Sequence, residues 1–194
     1  MNENETTAEK PQGPDVITIM LGELADKTGA VIKDDPHITA ISTRLLGGAI
    51  GSVLRVGQGD LEPSELNGAQ SELVLKPVIE RYQMRSDWFG FGELPDHSAS
   101  GESWIVMISG RLVDPSTAQA AHDSVAEVGA GPMREMGDIS HLPFTGVEDA
   151  SQFLSIDVWD NDKNIELMYG NPDVTAGFMQ LFVEPPVLQV YRVL

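Results

Sequence analysis

The chain has no cysteine. Disulfides, thiolate metal centres and cysteine nucleophiles are therefore excluded, and the usage fits a cytoplasmic protein. Long apolar runs are missing too. Nothing approaches the roughly 18 consecutive apolar residues that a membrane-spanning helix requires, so no membrane is expected as a partner. Bases are scarce: 12 Lys and Arg stand against 30 Asp and Glu in 194 residues. The excess of acid is uneven, with a net charge of −5 over residues 1–85 and −13 over 86–194. A surface that negative repels phosphate backbones and argues against nucleic acid as a direct partner. The opening residues, MNENETTAEKPQGP, lack the apolar core of a secretory leader and read as a disordered arm over residues 1–14.

What is present divides into two grammars. Residues 15–84 read as an α-helical region. Ile17, Met20, Leu21, Leu24 and Val31 lie near helical spacing behind Asp15 as an N-cap. Asp35-Pro36 looks like the first turn of a second helix running to about Val56, and Glu62-Pro63-Ser64 opens a third towards Tyr82, interrupted at Pro77. The small-residue run Gly47–Ser52 suggests close approach of neighbouring helices. Residues 85–102, rich in Gly, Pro, Ser and Asp after the aromatic cluster Trp88, Phe89 and Phe91, read as a linker docked by those aromatics. No internal repeat stands out.

Residues 103–194 alternate in a different order. The apolar run Trp104–Val113 reads as a strand covered on both faces, and Asp114-Pro115-Ser116 starts a helix whose inner stripe carries His122. Gly137-Asp138 ends that helix and leads into a strand through His141, in which Pro143 implies an edge or a bulge. In Phe153–Trp159, Leu154, Ile156 and Val158 share one face, which asks for a helix layer. Phe153, Ser155, Asp157 and Trp159 share the other, suited to solvent or to an opposing sheet. Two short helices and a strand over Val187–Leu194 complete a βαββαβ pattern.

The strand Phe153–Trp159, the turn Tyr169-Gly-Asn-Pro-Asp173, the exit Phe182-Val-Glu-Pro-Pro186 and the entry Gly137–His141 resemble the antibiotic-biosynthesis monooxygenase-like group of the dimeric α/β barrel superfamily. The resemblance covers about residues 103–194 and implies a ferredoxin-like βαββαβ domain pairing sheet to sheet in a homodimer. The expected fold class is thus α+β, a helical N-terminal region followed by that domain. Haem-degrading relatives use an asparagine on the first strand, a tryptophan on the third and a histidine one helix later. Only Trp159 matches, which argues against haem.

The resemblance implies a cofactor-free small-molecule oxygenase with an apolar pocket for an aromatic or polyketide-type substrate. Such chemistry needs proton transfer beside an apolar ligand, and histidine is the side chain best tuned for it near neutral pH. His122 and His141 are the catalytic candidates; Met107, Trp159, Met168 and Phe178 are the substrate-binding candidates. No metal site is expected, since two histidines and Asp157 match no ligand spacing. The alternative is a non-catalytic oligomerisation or ligand-binding scaffold whose N-terminal helices bind a protein partner.

Overall fold

A computed structural model describes residues 12–24, 37–48, 51–67, 74–95 and 103–194, with the side chains of 173 and 174 left aside. Most of the expected N-terminal arm, His97 and the side chain of Val174 lie outside the described residues. Eight antiparallel strands close into one barrel. The first four are β1 (Val16–Leu24), β2 (Ile38–Ser42), β3 (Ser52–Gln58) and β4 (Val74–Met84), with the short helix α1 (Pro63–Asn67) before β4. The second four are β5 (Trp104–Arg111), β6 (Asp138–Gly146), β7 (Gln152–Trp159) and β8 (Val187–Val193). Helix α2 (Ala118–Glu135) joins β5 to β6, and α3 (Ile165–Tyr169) with α4 (Pro172–Met179) joins β7 to β8.

Around the barrel the order is β1-β3-β2-β8-β5-β7-β6-β4. Cut at its two seams, it becomes β4-β1-β3-β2 and β8-β5-β7-β6. Each unit thus runs fourth, first, third, second, so the two halves of the chain share one strand order. The seams are short ladders, Ala40–Ser42 against Tyr191–Val193 and Tyr82–Met84 against Phe144–Gly146. The sheet-to-sheet partner expected from a second copy is supplied by the chain's own first half.

The α-helical N-terminal region expected over residues 15–84 is thus corrected: apart from α1 and a 3₁₀ turn at Leu45–Gly47, its described elements are strands. The physical reason lies in burial on both faces. In β1, Ile17 and Ile19 point into the barrel while Thr18 and Met20 are equally buried outside it. A strand apolar on both sides loses its alternation and satisfies a helical spacing by accident. The glycines read as helix contacts serve a turn between β2 and β3, where Gly47 and Gly51 take φ of +75° and +108°. Pro77 falls in an irregularity of the β1–β4 ladder, next to Lys76 at φ +51°, where a proline without an N–H is tolerated. The proposed docking of a protein partner on N-terminal helices loses its premise.

In the second unit, elements fall where the apolar pattern puts them, but the faces of β7 are exchanged. Leu154, Ile156 and Val158 belong to the barrel core with Ile17, Leu54, Ile105 and Phe144. The mixed face of Phe153, Ser155, Asp157 and Trp159 lies beneath the helices, fully buried. The apolar strand face meets the opposing sheet inside the closed barrel. The polar face sits outside it, and there the side chains find partners.

Candidate active site

The polar face of β7 and its neighbour β6 carry the site. His141 pairs directly with Asp157 across the two strands, so both side chains rise from the same face towards α2. Pro143 accepts the Arg85 N–H at 2.9 Å and has none to return, which ends the β4–β6 ladder. The chain after β4 takes over that edge: Phe91 and His141 exchange backbone hydrogen bonds of 3.0 and 2.9 Å. The same segment lays Trp88 beside His122 and Phe91 beside His141, with ring centroids 5.1 and 6.1 Å apart. The Arg134 guanidinium covers the Phe91 ring at 4.0 Å. The linker aromatics of the first half thus roof a site whose floor belongs to the second.

Four ionisable groups form a continuous chain. Asp123 Oδ1 lies 2.9 Å from His122 Nδ1, His122 Nε2 lies 3.1 Å from His141 Nε2, and His141 Nδ1 lies 2.7 Å from Asp157 Oδ1. The two rings are within 11° of parallel with centroids 5.2 Å apart. Because the nitrogens are much closer than the centroids, the rings meet edge to edge, along a hydrogen bond, and not face to face. Asp157 also accepts the Ser155 hydroxyl at 2.7 Å and the Tyr169 hydroxyl at 2.5 Å. Asp123 accepts the Phe89 N–H at 2.8 Å.

Burial and these contacts set the charges. Burial pushes the Asp157 pKa up, but the His141 charge and the hydrogen bonds from His141, Tyr169 and Ser155 outweigh it and hold the group below the usual carboxylate range. Asp138 enters β6 with weaker help, a long Ser140 N–H contact of 3.4 Å and the Arg134 charge. Burial, reinforced by the nearby negative Asp157, pushes its carboxyl up to about 9. Asp138 is therefore a neutral acid beside an ionised one. Burial also lowers the His122 pKa, partly offset by Asp123, and raises the Tyr169 phenol well above 10 next to Asp157.

On its outer side this chain of groups meets a cleft of about 640 Å³ between α2, the α3–α4 pair and the outward faces of β5 and β8. His141, Asp157 and Tyr169 lie at its polar end, and Ile108, Val125, Met133, Met168, Phe178 and Leu188 contribute apolar walls. That size and lining suit a drug-sized, largely apolar molecule.

The structure brings His122 and His141 together, with His141 at the cleft and His122 fully buried behind it. Among the substrate-binding candidates, Met168 and Phe178 line the cleft. Met107 points the other way, into the barrel core, because it alternates with Val106 and Ile108 on β5. Trp159 shares the helix-side face but is sealed under the Tyr169 ring, with centroids 5.9 Å apart. Sequence reasoning misses Asp123, Ser155 and Tyr169 as members of the site, and considers Asp157 beside the two histidines only as a metal ligand. The signal available for two of them is Ser155 and Asp157 on one face of an otherwise apolar strand.

No family model matches the chain, and no curated protein does. Solved structures do. An anthrone oxidase-like protein superposes with a TM-score of 0.56 at 10% identity, over 93% of this chain and 92% of its own. A ferredoxin-fold protein related to antibiotic biosynthesis monooxygenases, from Listeria monocytogenes, gives 0.54 at 10% identity over 93% and 95%. The chain shares the fold of both. A monooxygenase-like protein from Listeria innocua adds 0.53 at 12% identity over 93% and 95%. The likeness therefore spans both units, extending the resemblance seen in residues 103–194 to the first half of the chain.

Proposed function

We propose that the protein is a small-molecule oxygenase that removes a proton from an aromatic or polyketide-type substrate in the cleft and lets the resulting anion react with dioxygen. The observation that carries this reading is an ionised aspartate bonded to a histidine at the end of an apolar cleft. An apolar wall holds the flat ligand; the Asp157–His141 pair takes its acidic proton. The fold it shares with an anthrone oxidase-like protein supports an anthrone-type methylene as the class to test first.

For such a substrate the methylene and one molecule of dioxygen give a ketone and one molecule of water. A C–H bond breaks, the proton passes to the Asp157–His141 end, and the electron pair stays on the substrate as an enolate. The enolate reduces dioxygen and forms a C–O bond. The peroxide takes a proton back, then loses water as the second C–H and the O–O bonds break. Dioxygen is the oxidant and the substrate carbon the reductant, and the protein supplies position and proton transfer. Oxygen uptake measured with a hydroxyanthrone tests this: wild type consumes oxygen, and His141→Gln consumes it at least about tenfold more slowly, the direction expected when a general base is lost. Ligand binding with no oxygen uptake in either protein would replace the enzyme reading with a ligand-binding one.

A further inference from the structure

The four-group chain contains three contacts, Asp123–His122, His122–His141 and His141–Asp157. Each contact is a hydrogen bond only if it holds one proton. Ionised carboxylates bring none, and two neutral imidazoles bring two. One contact must then oppose two lone pairs at hydrogen-bond distance, a cost relieved by one additional proton. That third proton cannot be assigned to one ring, because the central contact joins like atoms, Nε2 to Nε2.

We propose that His122 and His141 work as a single base that takes up one proton between them, with Asp157 and Asp123 as fixed acceptors at its two ends. His141 and Asp157 meet the ligand; His122 and Asp123 are positioning residues that stabilise the charge on the far side. Their part in turnover rests on the oxygenase reading, whereas the shared titration does not.

The surroundings favour this assignment. The contact best suited to stand empty is the central one, at 3.1 Å the longest of the three, because each Nδ1–H has an ionised carboxylate to donate to, at 2.9 Å for Asp123 and 2.7 Å for Asp157. His141 both joins that contact and lines the cleft, which links the shared proton to the ligand side. Among the described residues, the charged and titratable groups facing the pair are Asp157 from β7, Tyr169 from α3 and Asp123 from α2. Asp138 on β6 interacts with Asp157, and Arg134 covers the Phe91 ring and acts on Asp138. The α4 neighbour Phe178 carries no charge. Burial favours the neutral form of His122, and Asp123 opposes it.

The test is a pH titration of the imidazole nitrogens by ¹⁵N NMR on the full chain without substrate. In wild type, His122 and His141 move together through one midpoint, each with about half the change of a complete imidazolium. Asp123→Asn keeps the acceptor oxygen but removes the charge, and lowers that midpoint by about one to three pH units. Asp123→Glu restores it. His122→Gln leaves His141 titrating alone with full amplitude. Two independent midpoints in wild type, or an unmoved midpoint in Asp123→Asn, would overturn the proposal. If Asp123→Asn does not fold, the wild-type titration and the His122→Gln spectrum decide alone. Oxygen uptake is a separate readout, so failure of the oxygenase reading leaves the shared titration standing or falling on its own.

Discussion

Replacing Asp138 by asparagine should remove most of one pH dependence from the stability of the fold. Asp138 is 1% exposed, lies close enough to the ionised Asp157 to feel its charge, and has its carboxyl pushed from 3.8 up to about 9. A raised pKa of an acid means that folding favours the protonated form. The stability it supports is complete below about pH 4 and is lost as the pH climbs towards 9. Across that window the loss is about 1.4 kcal/mol per pH unit. At pH 7.5 the accumulated penalty reaches about 5 kcal/mol if the site stays closed and dry. Asparagine is neutral throughout and nearly isosteric, but it brings an extra N–H whose burial costs about 1–3 kcal/mol. The net gain at pH 7.5 is thus about 2–4 kcal/mol, and near pH 4 the variant should be the less stable protein. Urea unfolding followed by tryptophan fluorescence at several pH values from about 4 to 8 measures both slope and crossing. Equal slopes in wild type and Asp138→Asn would refute the claim that this carboxyl is held neutral.

Further outcomes follow from the same geometry. Leu154→Ala, which opens a cavity in the barrel core, should cost about 2–5 kcal/mol in chemical denaturation, and clearly more than Leu167→Ala at the exposed rim of the cleft. Tyr169→Phe removes a charge-assisted hydrogen bond to Asp157 and should cost about 1.5–3 kcal/mol, with the loss largest where Asp157 is ionised and fading at low pH. Because both halves of the barrel lie in one chain, the melting temperature should not rise with protein concentration; a steady rise would show that closure depends on a second copy. Gly92→Ala should pull the Phe91 segment off His141, since a Cβ there would collide with the Ile139 carbonyl oxygen at a residue whose φ is +71°; slowed backbone exchange at His141 should be lost.

The second unit is legible because its strands and helices alternate and end on strong punctuation, Asp114-Pro115, Gly137 and Pro185-Pro186. The first unit is not. Its β1 buries both faces, as Thr18 and Met20 show, so the period-2 signal of a half-exposed strand is absent. The shared strand order of the two units is equally hidden, because it is a property of pairing and not of any repeated run of residues. The histidine pair is partly readable, since His122 lies on the inner stripe of α2 and His141 on the adjoining strand. The inversion of β7 is not, because an apolar face can meet either helices or an opposing sheet, and only barrel closure decides between them. Met107 is lost to the same ambiguity on β5.

The most direct test of the account is whether the cleft takes a proton from its ligand. A hydroxyanthrone bound without oxygen, at a pH below its own pKa, should show the absorption spectrum of its anion in the wild-type complex and of its neutral form when bound to Asp157→Asn or His141→Gln. A neutral spectrum in the wild-type complex would contradict the account.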